Sequence, residues 1–242
     1  MVKELQPLEY KMIYYPDSLG GLPTEIMLMY CTLSCVIGIS INICLNRVLR
    51  GTMYGIVKHN CPLWSFYLCI LYQSVIFPVM IFLSIEECES LEDHFMMTWE
   101  EGNTKTINWL RGTYLVLLSY LIKDVLYCTP LQQVHHISGF WFLMYFLVVP
   151  RGINAFVTGC VCLEYGNAFL NISVLKNQRL HYKIALVAFT CVHIPGAYCI
   201  YRTIQDQQGD ENTMFFRFIA LASVIVLVMR EREVICNFLE SN

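Results

Sequence analysis

The chain has 242 residues, 56% hydrophobic and 14% charged, with a mean hydropathy of +0.50 and a formal net charge of −3. Soluble globular chains carry about 25% charged residues. This composition therefore excludes an ordinary soluble domain, and the net charge with no basic patch excludes a nucleic-acid binder.

Windows of about 20 apolar residues cross a hydrocarbon core of roughly 30 Å. Read in chain order, the hydropathy predicts seven spans: Ile26–Leu45, Pro62–Ile85, Trp109–Cys128, Leu131–Val149, Ile153–Ile172, Ile184–Tyr201 and Met214–Met229. The expected fold is all-α, a polytopic membrane bundle of about seven helices spanning residues 26–230. A mixed polar tail (1–25) precedes it and a short tail (231–242) follows. The first span reads as a signal anchor.

Placing the N-terminus outside puts Arg47, Arg50, Lys58, Lys176, Arg179, Lys183, Arg230 and Arg232 inside, eight basic residues against six outside. That is the sense of the positive-inside rule. Fourteen of the nineteen acidic residues then fall outside, and the C-terminus is cytosolic.

The twelve cysteines give no disulfide framework and no Cys/His spacing for zinc, so neither a metal nor a cofactor is expected. Cys88 stands by itself in the outer loop. Asn171-Ile-Ser173 is formally a glycosylation sequon, expected to be unused at the inner end of a span.

Ionisable groups at membrane depth are costly and suggest a functional site. On the third span, Thr113, Tyr120, Asp124 and Tyr127 are spaced to share a face, while Lys123 points elsewhere and can snorkel to the headgroups. Pro130 opens the fourth span, which carries His135 and His136 near its start. A tight turn places Asp124 and His135 at one depth, where the carboxylate would orient the imidazole.

On the fifth span Cys160, Glu164, Asn167 and Asn171 form a stripe, with Glu164 near mid-bilayer. The sixth places Thr190, His193, Ala197 and Tyr201 on one face, beside Pro195. Each residue has a structural reading: interfacial histidines, an Asp124–Lys123 pair at the headgroups, asparagines as glue between helices, His193 on a carbonyl freed by Pro195. Together the stripes predict a partly polar internal cavity, open toward the cytosolic side, with Tyr120, Glu164, Asn167, Asn171 and His193 facing a bound lipid or substrate.

The order Tyr120-Leu-Ile-Lys-Asp124, then Val134-His135-His136-Ile137, then Cys162-Leu-Glu164-Tyr-Gly-Asn167-Ala-Phe-Leu-Asn171 resembles the TLC domain. That family includes ceramide synthases, translocation-associated membrane proteins and lipid-homeostasis proteins. The resemblance covers residues 111–229. Ceramide synthases carry two aspartates where this chain has Glu164 and Asn167, so it is closer to the non-synthase branches.

The resemblance implies a multi-pass protein of the endoplasmic reticulum or a related endomembrane, with a lumenal N-terminus. Its partners would be membrane lipids, with oligomerisation left open. It would bind long-chain lipid and regulate sphingolipid or phospholipid composition. The alternative it carries is an acyl-CoA-dependent N-acyltransferase of the ceramide synthase type, with acyl-CoA as co-substrate and no cofactor. In that case His135 or His136 would be nucleophile or base, Asp124 the orienting group, and Glu164 would face the acceptor amine. A seven-span receptor is a third reading, disfavoured because the interior charges cluster at the inner end.

Overall fold

The computed structural model describes residues 18–58, 61–97, 99, 104–125, 130–147, 152–176 and 178–206, with single positions between 221 and 239. It is all-α apart from two two-residue ladders. The first, β1 (Ser18–Leu19) against β2 (Leu22–Pro23), turns through Gly20 and Gly21, with φ of 58° and 68°. A two-residue hairpin whose central residues both have positive φ demands glycine. The Arg111 guanidinium clamps this turn, Nε donating to the Gly20 carbonyl (2.8 Å) and Nη2 to that of Gly21 (3.1 Å).

α1 (Thr24–Leu49) follows directly. A second ladder, β3 (Val57–Lys58) with β4 (Cys61–Pro62), leads into α2 (Leu63–Leu71), a π-helical turn (Tyr72–Ile76) and α3 (Phe77–Glu86), one continuous rod. Pro78 explains the wide turn. A proline removes its own N–H and presses on the carbonyl four residues back, and widening the preceding turn relieves both. α4 (Leu91–Met96) starts at Ser90, whose Oγ accepts from the Asp93 amide at 3.1 Å, a helix cap. α5 (Thr104–Asp124), α6 (Pro130–Phe146), α7 (Ile153–Lys176) and α8 (Arg179–Asp206) complete the order.

Small and polar residues set the helix contacts. α1 lies parallel to α5 along Ser34, Gly38 and Asn42. The Ser34 hydroxyl donates to the Leu115 carbonyl, Gly38 faces the Ser119 carbonyl, and Asn42 Nδ2 donates to the Lys123 carbonyl at 2.5 Å. Each pair is 81 residues apart, which fixes the parallel register. α7 and α8 run antiparallel and cross where Gly159 meets Cys199 and Gly166 meets Phe189 and Val192. Small residues let membrane helices approach closely.

The outer helix faces are apolar, while several polar side chains are held inside among the apolar core. Met29, Leu33, Val36, Ile37 and Ile43 of α1, Val75, Val79 and Phe82 of the second rod, and Val187 and Ile194 of α8 are exposed. Asn42, Gln73, Lys123, Glu164 and Asn167 are buried. Contiguous apolar exposure on that scale marks a surface made for lipid or another apolar partner. Three helical stretches, Thr24–Leu49, Leu63–Glu86 and Arg179–Thr203, are long and apolar enough to cross a membrane. α5, α6 and α7 occupy the places expected for the third, fourth and fifth spans. The expected span Met214–Met229 lies outside the described residues, apart from isolated positions.

Candidate functional site

The site is built around Glu164, in the middle of α7 and 4% exposed. Four donors converge on it. Gln73 Nε2 (2.8 Å), Tyr120 Oη (3.0 Å) and Asn167 Nδ2 (3.3 Å) reach Oε2, and His135 Nε2 lies 3.2 Å from Oε1. Gln73 Nε2 also donates to Tyr120 Oη at 2.7 Å, and its Oε1 accepts from Asn171 Nδ2 at 2.9 Å. Both carboxyl oxygens are thus engaged by polar side chains of the protein. Hydrogen bonds of this kind are what make a buried carboxyl group tolerable.

Each donor is delivered by a local feature. Tyr120 is on the buried face of α5, its ring packed against Phe77 (5.3 Å), Tyr72 (5.7 Å) and His136 (5.9 Å). Asn167 lies three residues beyond Glu164 and Asn171 seven, on one helix face. Gln73 sits in the π-turn, 1% exposed. Such turns recur at functional sites because they re-aim a side chain without ending the helix.

His135 is the open member, its side chain 22% exposed. With Nε2 held by Glu164, its Nδ1 carries no hydrogen bond among the described residues. His136 is a structural neighbour: its Nδ1 lies 3.0 Å from the Leu121 carbonyl and its ring centroid 5.5 Å from that of His135.

Tyr120, Glu164 and Asn167 are thus brought together with His135 in direct contact, and Asn171 joins them through Gln73. Glu164 is held by protein donors on both oxygens and does not face outward to a ligand. The Asp124 side chain, Thr129 and Tyr127 lie outside the described residues, and the carboxylate that holds His135 is Glu164. His193 is placed on α8 with its ring 4.2 Å from that of Phe189, which packs against Gly166 of α7. Asn171 and Ser173 are both inside α7. Ser173 is fully buried and donates to the Leu170 carbonyl, which leaves no extended segment for glycosylation.

Two members were missed in the sequence. Gln73 is the one carboxamide in the run Leu63–Glu86, and that isolation was the available signal. Lys123 does not snorkel. It is 1% exposed, with Nζ 4.7 Å from the Tyr120 ring centroid and 3.5 Å from Cys69 Sγ. A cation over a tyrosine ring is attracted by the ring's negative face. Here that ring's hydroxyl bonds Glu164, so one tyrosine touches both Lys123 and Glu164.

Compared with family profiles, with characterised proteins and with solved structures, the chain finds no match.

Proposed function

We propose that this chain is a TLC-type integral membrane protein, a bundle of about seven spans, that binds a long-chain lipid and regulates sphingolipid or phospholipid composition. One observation carries the reading. A polar network with one open imidazole, His135, is enclosed by helices whose outer faces are apolar. A lipid needs that pairing: polar contacts for its headgroup and apolar walls for its chains. His135 is the contact offered to the headgroup, and Glu164, Gln73, Tyr120 and Asn167 hold it in place. An endomembrane location with a lumenal N-terminus belongs to the same proposal.

The open His135 Nδ1 favours a second reading, N-acylation of a long-chain amine by acyl-CoA. As the amine nitrogen attacks the thioester carbonyl, Nδ1 accepts its proton. The C–S bond then breaks, and the coenzyme A thiolate leaves with that proton. Glu164 steadies the imidazolium, a carboxylate–imidazole arrangement suited to general-base work.

Comparative lipidomics of cells with and without the chain tests the first reading, and purified protein with acyl-CoA and a long-chain base tests the second. A shift in one lipid class, lost in His135→Ala, with lipid copurifying by native mass spectrometry, supports lipid handling. Amide formation abolished by the same substitution identifies the enzyme. An unchanged lipidome and no copurified lipid overturn the proposal.

A further inference from the structure

Charge is unevenly divided between the two ends of the bundle. Asn154, near the start of α7, bonds the His94 carbonyl beyond the end of α3. Asn171, near the end of α7, bonds Gln73 in the first half of the α2–α3 rod. The rod and α7 therefore run antiparallel, and the connection from α1 to α2 lies at the same end as the turn from α7 to α8. Neither connection holds an acid: no Asp or Glu occurs in residues 26–85 or 165–205. Arg47, Arg50, Lys176, Arg179 and Lys183 are exposed there. Asp124 ends α5 about two turns short of the end of α1, since Asn42 already bonds the Lys123 carbonyl. The acids Glu86, Glu87, Glu89, Glu92 and Asp93 belong to the far end.

The α1–α2 connection is an ordered knuckle. The Thr52 amide and hydroxyl both donate to the Leu49 carbonyl, at 3.0 and 2.7 Å. Thr52 Oγ1 accepts from the Tyr54 amide at 3.3 Å, and the Leu63 amide closes onto the Ile56 carbonyl at 2.9 Å. With these backbone bonds made inside the loop, its apolar side chains turn outward. Val48, Met53, Ile56 and Val57 are 58% to 73% exposed. Tyr54 meets Tyr67 edge to face at 6.0 Å, both rings about half exposed, and tyrosine is favoured at membrane–water boundaries. α1 has 26 residues. At 1.5 Å each it is roughly 39 Å long, more than a hydrocarbon core of about 30 Å. The knuckle thus stands at headgroup depth when α1 crosses a bilayer.

We propose that the knuckle, with the α7–α8 turn at the same end, is a docking surface for the anionic phospholipid of the leaflet it faces, a proposal that rests on the chain lying in a bilayer as proposed above. Charge complementarity selects the partner. A zwitterionic headgroup offers its phosphate together with a cation, whereas an anionic leaflet presents a net negative surface to the guanidinium and ammonium groups. Met53, Ile56 and Val57 enter between the headgroups and bury their side chains against the uppermost methylenes. A basic excess by itself only orients a chain. The outward apolar knuckle between Arg50 and Lys58 is what turns that excess into a contact.

The test assembles the full chain, one copy per disc, in nanodiscs of phosphatidylcholine with or without phosphatidylserine. Hydroxyl-radical oxidation of Met53 is followed on its own peptide by mass spectrometry. It is expected to be about 5-fold slower in the phosphatidylserine discs, the ratio that one basic residue supplies near an anionic surface. Arg47→Gln with Arg50→Gln, both exposed, is expected to remove the difference. Lys105→Gln, at the far end, is expected to leave it unchanged. Equal rates in the two discs, or a ratio that survives the double substitution, overturns the docking surface. Fast oxidation in both discs puts the knuckle in water, as a face for a second copy or a soluble protein, and overturns it too. A chain that does not enter discs fails the membrane reading and this one with it, whereas equal protection in both discs fails this one alone.

Discussion

At the scale of single residues, burial separates the charges that matter from those that do not. The Lys105–Glu87 pair has side chains 73% and 30% exposed. Water screens such a pair, and Lys105→Ala is expected to change stability by less than about 1 kcal/mol. Glu164 is different, because removing it takes away the acceptor shared by Gln73, Tyr120, Asn167 and His135. Glu164→Leu is expected to cost about 3–5 kcal/mol, the range for breaking a buried charged network by deleting one partner. Thermal unfolding of both variants in the same detergent checks the contrast, and similar midpoints would contradict it. The stripe of Glu164, Asn167 and Asn171 was legible in the sequence because helical spacing alone puts those residues on one face. Which carboxylate serves His135 was not legible. Asp124 is nearer in the chain, yet Glu164 is the carboxyl group 3.2 Å from His135, a pairing that only packing decides.

Among the elements, two features decide the geometry, and only one is periodic. The Ser34, Gly38 and Asn42 seam of α1 follows helical spacing, and its contact with α5 is close. A Cβ on Gly38 would sit 2.5 Å from the Ser119 carbonyl oxygen, a backbone atom that cannot swing aside. A Cβ on Gly139 would meet only the flexible Leu121 side chain, at 3.1 Å. Gly38→Ala is therefore expected to cost about 1–3 kcal/mol by overpacking, and Gly139→Ala clearly less. Chemical or thermal unfolding ranks them, and the reverse order would mean that α1 and α5 are not so close. The π-turn is the aperiodic feature. A continuous α pattern through residues 63–86 predicts the rod but not its wide turn. Pro78 marks where regular bonding fails, not which side chain the widened turn will aim inward.

For the whole molecule, the apolar outer surface is the dominant fact. Ile37, midway along α1 and 47% exposed, faces outward with its apolar neighbours. In water Ile37→Lys would be close to neutral. In a bilayer it costs about 2.5–3.5 kcal/mol at a helix centre, so the variant is expected to insert poorly. Alkaline extraction of membranes measures this, and a variant retained as fully as the native chain would argue against a lipid-facing α1. The amino-acid sequence by itself determined the class, an all-α chain with helices apolar enough to cross a membrane, because hydropathy and helical period are local properties. It also determined the helix faces on which Tyr120, Glu164, Asn167 and Asn171 lie. Tertiary structure alone decided that Gln73 joins them, that Lys123 stays inside against Tyr120, and that Glu164 is consumed by the protein's own donors. Those outcomes depend on contacts between helices far apart in the chain, and no local period records which neighbour a buried charge will find.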